Sequence, residues 1–374
     1  MAQKIEDSKR ALTTLLRHFG EQMDTIPDLV HGRLYHHNVE HMFSSMRTCL
    51  SAMDGAFKFI DQADVDDRKA MLEILGGNVG GLLTWLETFA WYPSMAMPEA
   101  KEDFVTDNAT LRVKKLTQFE VEGRRLLQAN PYLERVVDYA LWIWVEGASP
   151  LHPVRATPEN FRIIMGARLD LIAECTLGNF ANDIVLEKVN AMRQRDMECL
   201  AIAFASRLLD WADFYQPIYQ ENPSNIDYTI AGHTVIAAWT LSRWIRRFSR
   251  ALRKVDFPKV VVKVAMDFPR LSAPGSSWRG GPVKSSFTPG LPSHVFIPSL
   301  QRVYDALRNV PDLLNAGLLD ILVGDLWTPP EGVQHYNWDE ESGGTPVQNL
   351  VTLSHHPRIA RAVTNLRLPD DPVF

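Results

Sequence analysis

The stretch Cys199–Tyr215, with the sequence CLAIAFASRLLDWADFY, has the apolar spacing that decides the fold class. Its large apolar residues recur every three or four positions, as at Leu200, Phe204 and Leu208, which is the period of an α-helix with one buried face. Similar spacing is found in residues 39–60, 132–145 and 299–322. Period-two alternation is scarce, and residues 259–266, KVVVKVAM, are compatible with either a strand or a helix. The sequence therefore predicts an all-α protein.

The length and the proline and glycine content divide the chain. A chain of 374 residues is long enough for two domains. Residues 267–293 form a long run rich in Gly, Pro and Ser, and the sequence after Trp327 is rich in Pro, Gly and acidic residues. We therefore expect an N-terminal helical lobe with an N-terminal arm at residues 1–225, a C-terminal helical lobe at 226–326 and an extended C-terminal arm at 327–374.

Composition excludes several classes of protein. The N-terminus has charges of both signs and no apolar core of a secretory signal. The longest uncharged apolar stretch, Tyr228–Ser242, has 15 residues, fewer than the roughly 20 that a membrane-spanning helix needs. The cysteines Cys49, Cys175 and Cys199 form no CxxC pair. We expect an intracellular protein without a membrane partner.

Positive charge is concentrated in one part of this acidic chain. Residues 243–284, here called the basic segment, contain eleven Lys or Arg and two Asp, so the segment carries a formal charge of +9. Since the whole chain carries −6, the remaining residues carry −15. Such segregation is typical of a protein with a polyanionic ligand.

A helical projection of the basic segment separates its charges from its apolar residues. Arginines from Arg243 to Arg253 fall within an arc of roughly 120°, and Leu241, Trp244 and Phe248 fall on the opposite side, which predicts one continuous cationic helix face. Trp278 is a candidate for stacking on bases. The residues predicted to bind single-stranded nucleic acid are Arg243, Arg246, Arg247, Arg250, Arg253, Lys254, Lys259, Lys263, Arg270, Trp278, Arg279 and Lys284, with Lys114 and Lys115 facing them across a cleft.

Two other interpretations of the basic segment remain open. Its cations are also explained by ion pairs with acidic residues of the same fold or of a neighbouring subunit. Its helix is also explained as an amphipathic element that docks on a membrane surface or a partner. The excess of Arg over Lys favours phosphate, because a guanidinium group binds two phosphate oxygens at once.

Three short motifs compete with a nucleic-acid function. HNVEH, His37–His41, matches a zinc-peptidase pattern in which His37 and His41 bind the metal and Glu40 activates water. GGNVGG, Gly76–Gly81, lacks the Lys-Ser/Thr of a phosphate loop and predicts the end of one helix and the start of the next. DQADVDD, Asp61–Asp67, predicts the acidic N-terminus of a helix. None of the three motifs indicates a convincing catalytic site, so the protein is not expected to be an enzyme or to carry a cofactor.

The helical organisation, the basic segment past mid-chain and the stretch AMDFPRLSAPGSSWRGG resemble the nucleoproteins of non-segmented negative-strand RNA viruses. The resemblance implies two helical lobes with single-stranded RNA in a basic cleft along Arg243–Lys284. It also implies terminal arms that exchange between subunits, at the N-terminal helix and after Trp327. Within the stretch, the resemblance extends to Phe268, Pro269, Ser277 and Trp278.

The resulting functional prediction is a viral nucleoprotein that encapsidates single-stranded RNA without sequence preference. Its expected partners are RNA, further copies of itself in a ring or helix, and a polymerase cofactor. Its expected location is the virion nucleocapsid and the cytoplasm or nucleus of the host cell. The alternatives are a zinc-dependent hydrolase that uses His37, Glu40 and His41, and an all-α coat or scaffold protein that does not bind RNA.

Overall fold

The structure is a computed structural model of the 374-residue chain. It describes residues 10, 13, 50–51, 53–58, 60–96, 103–119, 132–146, 158–177, 181–221, 228–268, 310–311, 313–315, 317–318 and 354–364. Of these residues 93% are helical and none lies in a strand, so the predicted all-α class is confirmed for them. The ambiguous stretch at residues 259–266 is helical.

The structure gives bounds for ten α-helices in the described part of the chain. Their bounds are Val65–Ala96 (α1), Asp103–Phe119 (α2), Tyr132–Val145 (α3), Pro158–Leu177 (α4), Asn182–Ala191 (α5), Gln194–Glu221 (α6), Tyr228–Trp244 (α7), Arg246–Lys254 (α8), Phe257–Asp267 (α9) and Pro357–Thr364 (α10). In the described part of the chain, no helix combines the length and the apolar character needed to cross a membrane.

The chain forms two compact units. The first contains residues 1–146 and 155–185, and the second contains residues 147–154 and 186–374. The sequence predicts a domain boundary at residue 225, whereas the structure groups α6 with the helices that follow it. The predicted C-terminal arm, residues 327–374, includes α10, whose Ile359 is fully buried. Beyond residues 354–364, this arm lies outside the described residues.

The first unit packs α1 against α2 and α3, and α4 against the same two helices. α1 starts where DQADVDD predicts a helix start, since the backbone N–H of Asp67 donates to Asp64 Oδ1 at 3.0 Å. The prediction for GGNVGG is wrong, because Gly76–Gly81 lie inside α1. Gly80 allows a close approach there, since a Cβ on it would lie 2.7 Å from the Tyr132 ring.

The second unit is built around α6. This helix packs against α7, α8 and α9, and α8 also contacts α7 and α9. Aromatic pairs join these helices: the ring centroids of Phe204 and Phe248 are 6.0 Å apart, and those of Trp211 and Phe268 are 4.9 Å apart. The apolar face that the sequence predicts for residues 199–215 is therefore the face that positions α8 and α9.

The prediction of one continuous helix through the first part of the basic segment is wrong. α7 ends at Trp244, Ile245 has extended backbone angles (φ −114°, ψ 97°), and α8 starts at Arg246. Ile245 is only 3% exposed, so its side chain is anchored in the core at the point where the helix breaks. The arginines on either side of Ile245 thus belong to two helices.

Candidate nucleic-acid interface

The second unit presents the described cations of the basic segment at the end of α7 and along α8 and α9. Most of them are exposed and Arg253 is half-buried. The exposed ones are Arg243, Arg246, Arg247, Arg250, Lys254, Lys259 and Lys263. Four further predicted residues, Arg270, Trp278, Arg279 and Lys284, lie outside the described residues.

Trp244 lies on the opposite side from the one predicted. The projection of a continuous helix places it with Leu241 and Phe248 on the core side. Leu241 and Phe248 are fully buried, but Trp244 is 55% exposed. The guanidinium carbon of Arg243 lies 5.4 Å from the centre of its ring. An indole therefore stands among the cations, where the sequence predicts only charges.

Arg247 is bound to the fold. Its Nη1 donates to the carbonyl oxygen of Asn190 at 3.2 Å, and its Nη2 donates to that of Met192 at 3.1 Å. These two carbonyls lie at the C-terminus of α5, where backbone acceptors lack partners within the helix and the helix dipole favours a cation. Arg247 thus ties α8 to the connection between α5 and α6.

Lys254 is also bound to the fold. Its Nζ donates to both carboxylate oxygens of Glu198, on α6, at 2.9 Å each. The hydrogen bond from Lys254, followed by one from Gln194, lowers the pKa of Glu198. Arg247 and Lys254 are seven positions apart on one side of α8, and we call them the inner strip.

Arg246 and Arg250, one helical turn apart on α8, form what we call the outer strip. Among the residues that the structure describes, neither has a hydrogen-bond or ion-pair partner. Arg246 also lies in the first turn of α8, where the helix dipole disfavours a cation. The outer strip is therefore unfavourable for the isolated helix and has no compensating contact in the described part of the second unit.

α9 adds two exposed cations with different environments. Lys259 Nζ lies 2.9 Å from Asp256 Oδ1, three positions away, and so forms a local ion pair. Lys263, one turn further along α9, has no such partner within the described residues. Among the exposed cations of α8 and α9, those with no hydrogen-bond or ion-pair partner in the described part of the chain are thus Arg246, Arg250 and Lys263.

Lys114 and Lys115 lie on α2 in the first unit, and both are paired there. Lys114 Nζ forms an ion pair with Asp170 on α4. Lys115 Nζ lies 2.7 Å from Asp61 Oδ2 and 4.9 Å from the centre of the Phe119 ring. Both side chains stabilise packing within the first unit, and their predicted role in RNA binding stays a prediction.

The zinc alternative rests on His37, Glu40 and His41, which lie outside the described residues. Within the described residues, no three His, Cys, Asp or Glu side chains cluster as metal ligands do. Cys175 and Cys199 are free thiols, and burial raises the pKa of Cys175 to about 12. Cys175 is therefore a core residue rather than a nucleophile.

Comparison with protein-family models, curated proteins and solved structures gives no match for this chain. The resemblance to viral nucleoproteins therefore stays a prediction.

Proposed function

We propose that the protein binds single-stranded RNA through phosphate contacts from the outer strip, without sequence preference. The observation that carries this proposal is the exposure of Arg246 and Arg250 on α8, with no acidic partner among the described residues. The rest of the chain is acidic, so a polyanion would be attracted to this surface and repelled elsewhere.

The residue types on this surface fit a phosphate backbone. Arginine presents a planar fork of N–H donors that pairs with two phosphate oxygens, and Arg243, Arg246 and Arg250 are all arginines. Each phosphate that a cation neutralises releases condensed counterions, which supplies most of the affinity of sequence-independent binding. Lys263 on α9 extends the same charge beyond the end of α8.

We extend the proposal to a nucleoprotein that coats viral RNA in the virion and assembles with further copies of itself. A coat needs positive charge only where it meets the RNA, and the formal charges of +9 on the basic segment and −15 on the remaining residues are consistent with this. Head-to-tail assembly along a strand would give a ring or a helix.

Fluorescence anisotropy with a labelled oligouridylate tests the RNA-binding proposal. The double variant Arg246→Ala/Arg250→Ala should lower the affinity at low salt by at least about fivefold. The slope of log affinity against log salt should become shallower by about 0.7 for each phosphate that the variant no longer neutralises. The matched control is Lys58→Ala/Lys69→Ala, which removes the same charge from exposed positions of the first unit. Equal affinities for the wild type and both variants would refute the proposal.

A coat or scaffold protein that does not bind RNA is the second candidate. It is favoured by the inner strip, because Arg247 and Lys254 are engaged within the fold and show that part of the positive charge is structural. Size exclusion and the 260/280 nm absorbance ratio of the purified protein separate the two candidates. Oligomers free of nucleic acid, with no affinity for added oligouridylate, would favour the scaffold.

A further inference from the structure

Trp244 is the most exposed of the tryptophans whose side chains the structure describes. It is 55% exposed at the last position of α7, and the Arg243 guanidinium group lies over its ring, with the guanidinium carbon 5.4 Å from the ring centre. The other described tryptophans are buried or half-buried, at Trp85, Trp142, Trp144, Trp211 and Trp239. A large aromatic surface left in water at a functional surface calls for an explanation.

The backbone fixes this exposure. Ile245 leaves the helical conformation and is 3% exposed, so the residue after Trp244 is held in the core. Leu241, one turn earlier, is fully buried. The chain is thus anchored on both sides of Trp244, and the indole projects from the corner between α7 and α8.

Three arginines surround this corner in the sequence. Arg243 precedes Trp244 directly, Arg246 starts α8 two residues later, and Arg250 follows one turn further on. An exposed aromatic ring preceded and followed by arginines along the chain matches the alternation of base and phosphate in a single strand, because every base has a face that stacks.

We propose that Trp244 is a stacking platform for a base of single-stranded nucleic acid, with Arg243 and Arg246 on the flanking phosphates. This inference rests on the proposed RNA binding and deepens it. It assigns the stacking role to the corner between α7 and α8, in addition to the Trp278 position predicted from the sequence.

The surroundings of Trp244 favour this ligand over a membrane or a protein partner. The apolar face of α8, with Phe248 and Leu252, is buried in the second unit, so α8 has no apolar face left for a lipid surface. The other exposed large apolar residues in the described part of the chain, Val65, Ile202 and Met266, lie on three different helices. A stacking site needs one exposed ring and nearby cations, and this corner supplies both.

Two ligands of equal length separate stacking from charge: a labelled oligouridylate and an abasic sugar-phosphate oligomer. Trp244→Ala should weaken binding of the oligouridylate about tenfold and leave binding of the abasic oligomer within about twofold. Trp244→Phe keeps an aromatic face and should retain most of the affinity. Arg246→Ala/Arg250→Ala should weaken both ligands to a similar degree, because it removes phosphate contacts.

The outcomes distinguish this inference from the proposed function. A wild-type protein that binds neither ligand refutes both. If the arginine variant loses affinity and Trp244→Ala does not, RNA binding stands and the stacking role is overturned. Equal weakening of both ligands by Trp244→Ala also overturns it, as does a change in oligomeric size without a change in RNA affinity, which would assign Trp244 to a protein interface. Thermal unfolding of Trp244→Phe serves as the folding control.

Discussion

The cations of the two units are used in different ways. In the first unit, Arg112, Lys114, Lys115 and Arg135 each form an ion pair with a carboxylate within that unit. In the second unit, the outer strip on α8 has no such partner in the described part of the chain. A cation that stabilises a fold is paired across helices, and a cation that serves a ligand is left accessible to it.

Arg135 shows how extensively one cation of the first unit is paired within that unit. From α3 it donates to both carboxylate oxygens of Glu87 on α1, at 3.1 Å and 2.7 Å. It also donates to the hydroxyl of Thr84 at 2.8 Å and to the carbonyl of Gly80 at 3.2 Å. Most of its donors thus have acceptors on α1, so a ligand would have to displace contacts that hold the two helices together.

The largest difference in the free energy of unfolding is expected between substitutions of Arg112 and of Arg246. Arg112 is 5% exposed, donates to the carbonyl and side-chain oxygens of Asn108 at 2.6 Å each, and is paired with Asp54. Burial lowers its pKa, and Asp54 opposes that shift. Arg112→Met should lower the free energy of unfolding by about 2 kcal/mol, because it removes the hydrogen bonds of a buried guanidinium group to Asn108 and its ion pair with Asp54.

Arg246→Met is the matched control for this substitution. It removes an exposed cation from the positive end of a helix dipole, so the free energy of unfolding should rise or fall by no more than about 0.5 kcal/mol. Urea denaturation measures both variants. Equal destabilisation would mean that Arg246 is a structural cation, and the contrast between the two units would then fail.

Substitutions in the inner and outer strips of α8 are expected to differ by a smaller amount in the free energy of unfolding. Arg247→Ala removes two hydrogen bonds to the C-terminus of α5, so the free energy of unfolding should fall by about 1 kcal/mol. Arg250→Ala should change it by less than about 0.5 kcal/mol and should instead weaken binding of oligouridylate. Urea denaturation and anisotropy on the same preparations test this. If Arg247→Ala weakened RNA binding as strongly as Arg250→Ala without loss of stability, the division into strips would be wrong.

The sequence predicts those features whose cause is local. The burial of Phe204, Leu208 and Trp211 follows from helical spacing, and the start of α1 at Val65 follows from the short acidic side chain of Asp64 just before it. The role of Gly80 has no local signal, because it depends on Tyr132 in another helix. A run of glycines within a helix is thus mistaken for its end.

The sequence predicts which residues form the candidate site, but it does not predict how they are arranged. The cations of α8 are identifiable from their charge. The chain has neither Gly nor Pro at the break at Ile245, so the sequence predicts a continuous helix. In that predicted helix Trp244 faces the core, whereas in the structure it is exposed. The partners of Arg247 are backbone carbonyls at the end of another helix, and every residue carries such a group. No residue type in the sequence therefore marks the inner strip as structural.

The smallest expected change in stability concerns the ion pair between Lys114 and Asp170 in the first unit. Lys114 pairs with Asp170, and half-buried Glu174 lies one turn further along α4. Burial raises the pKa of Glu174, Asp170 raises it further, and Lys114 opposes them. The folded protein thus binds a proton at Glu174 more tightly than the unfolded chain does. The resulting stabilisation is full below the unfolded pKa and is lost as the pH rises through the folded pKa.

Glu174→Gln should therefore raise the free energy of unfolding at pH 7 by less than about 1 kcal/mol, since solvent screens a half-buried carboxylate, and should give no gain near pH 4. Glu73→Gln makes the same chemical change at an exposed position of α1 and is the matched control. Urea denaturation at the two pH values measures the difference. A loss of stability at pH 7 in Glu174→Gln would show that Lys114 pairs with both Asp170 and Glu174, so that neither of these two carboxylates is left unpaired.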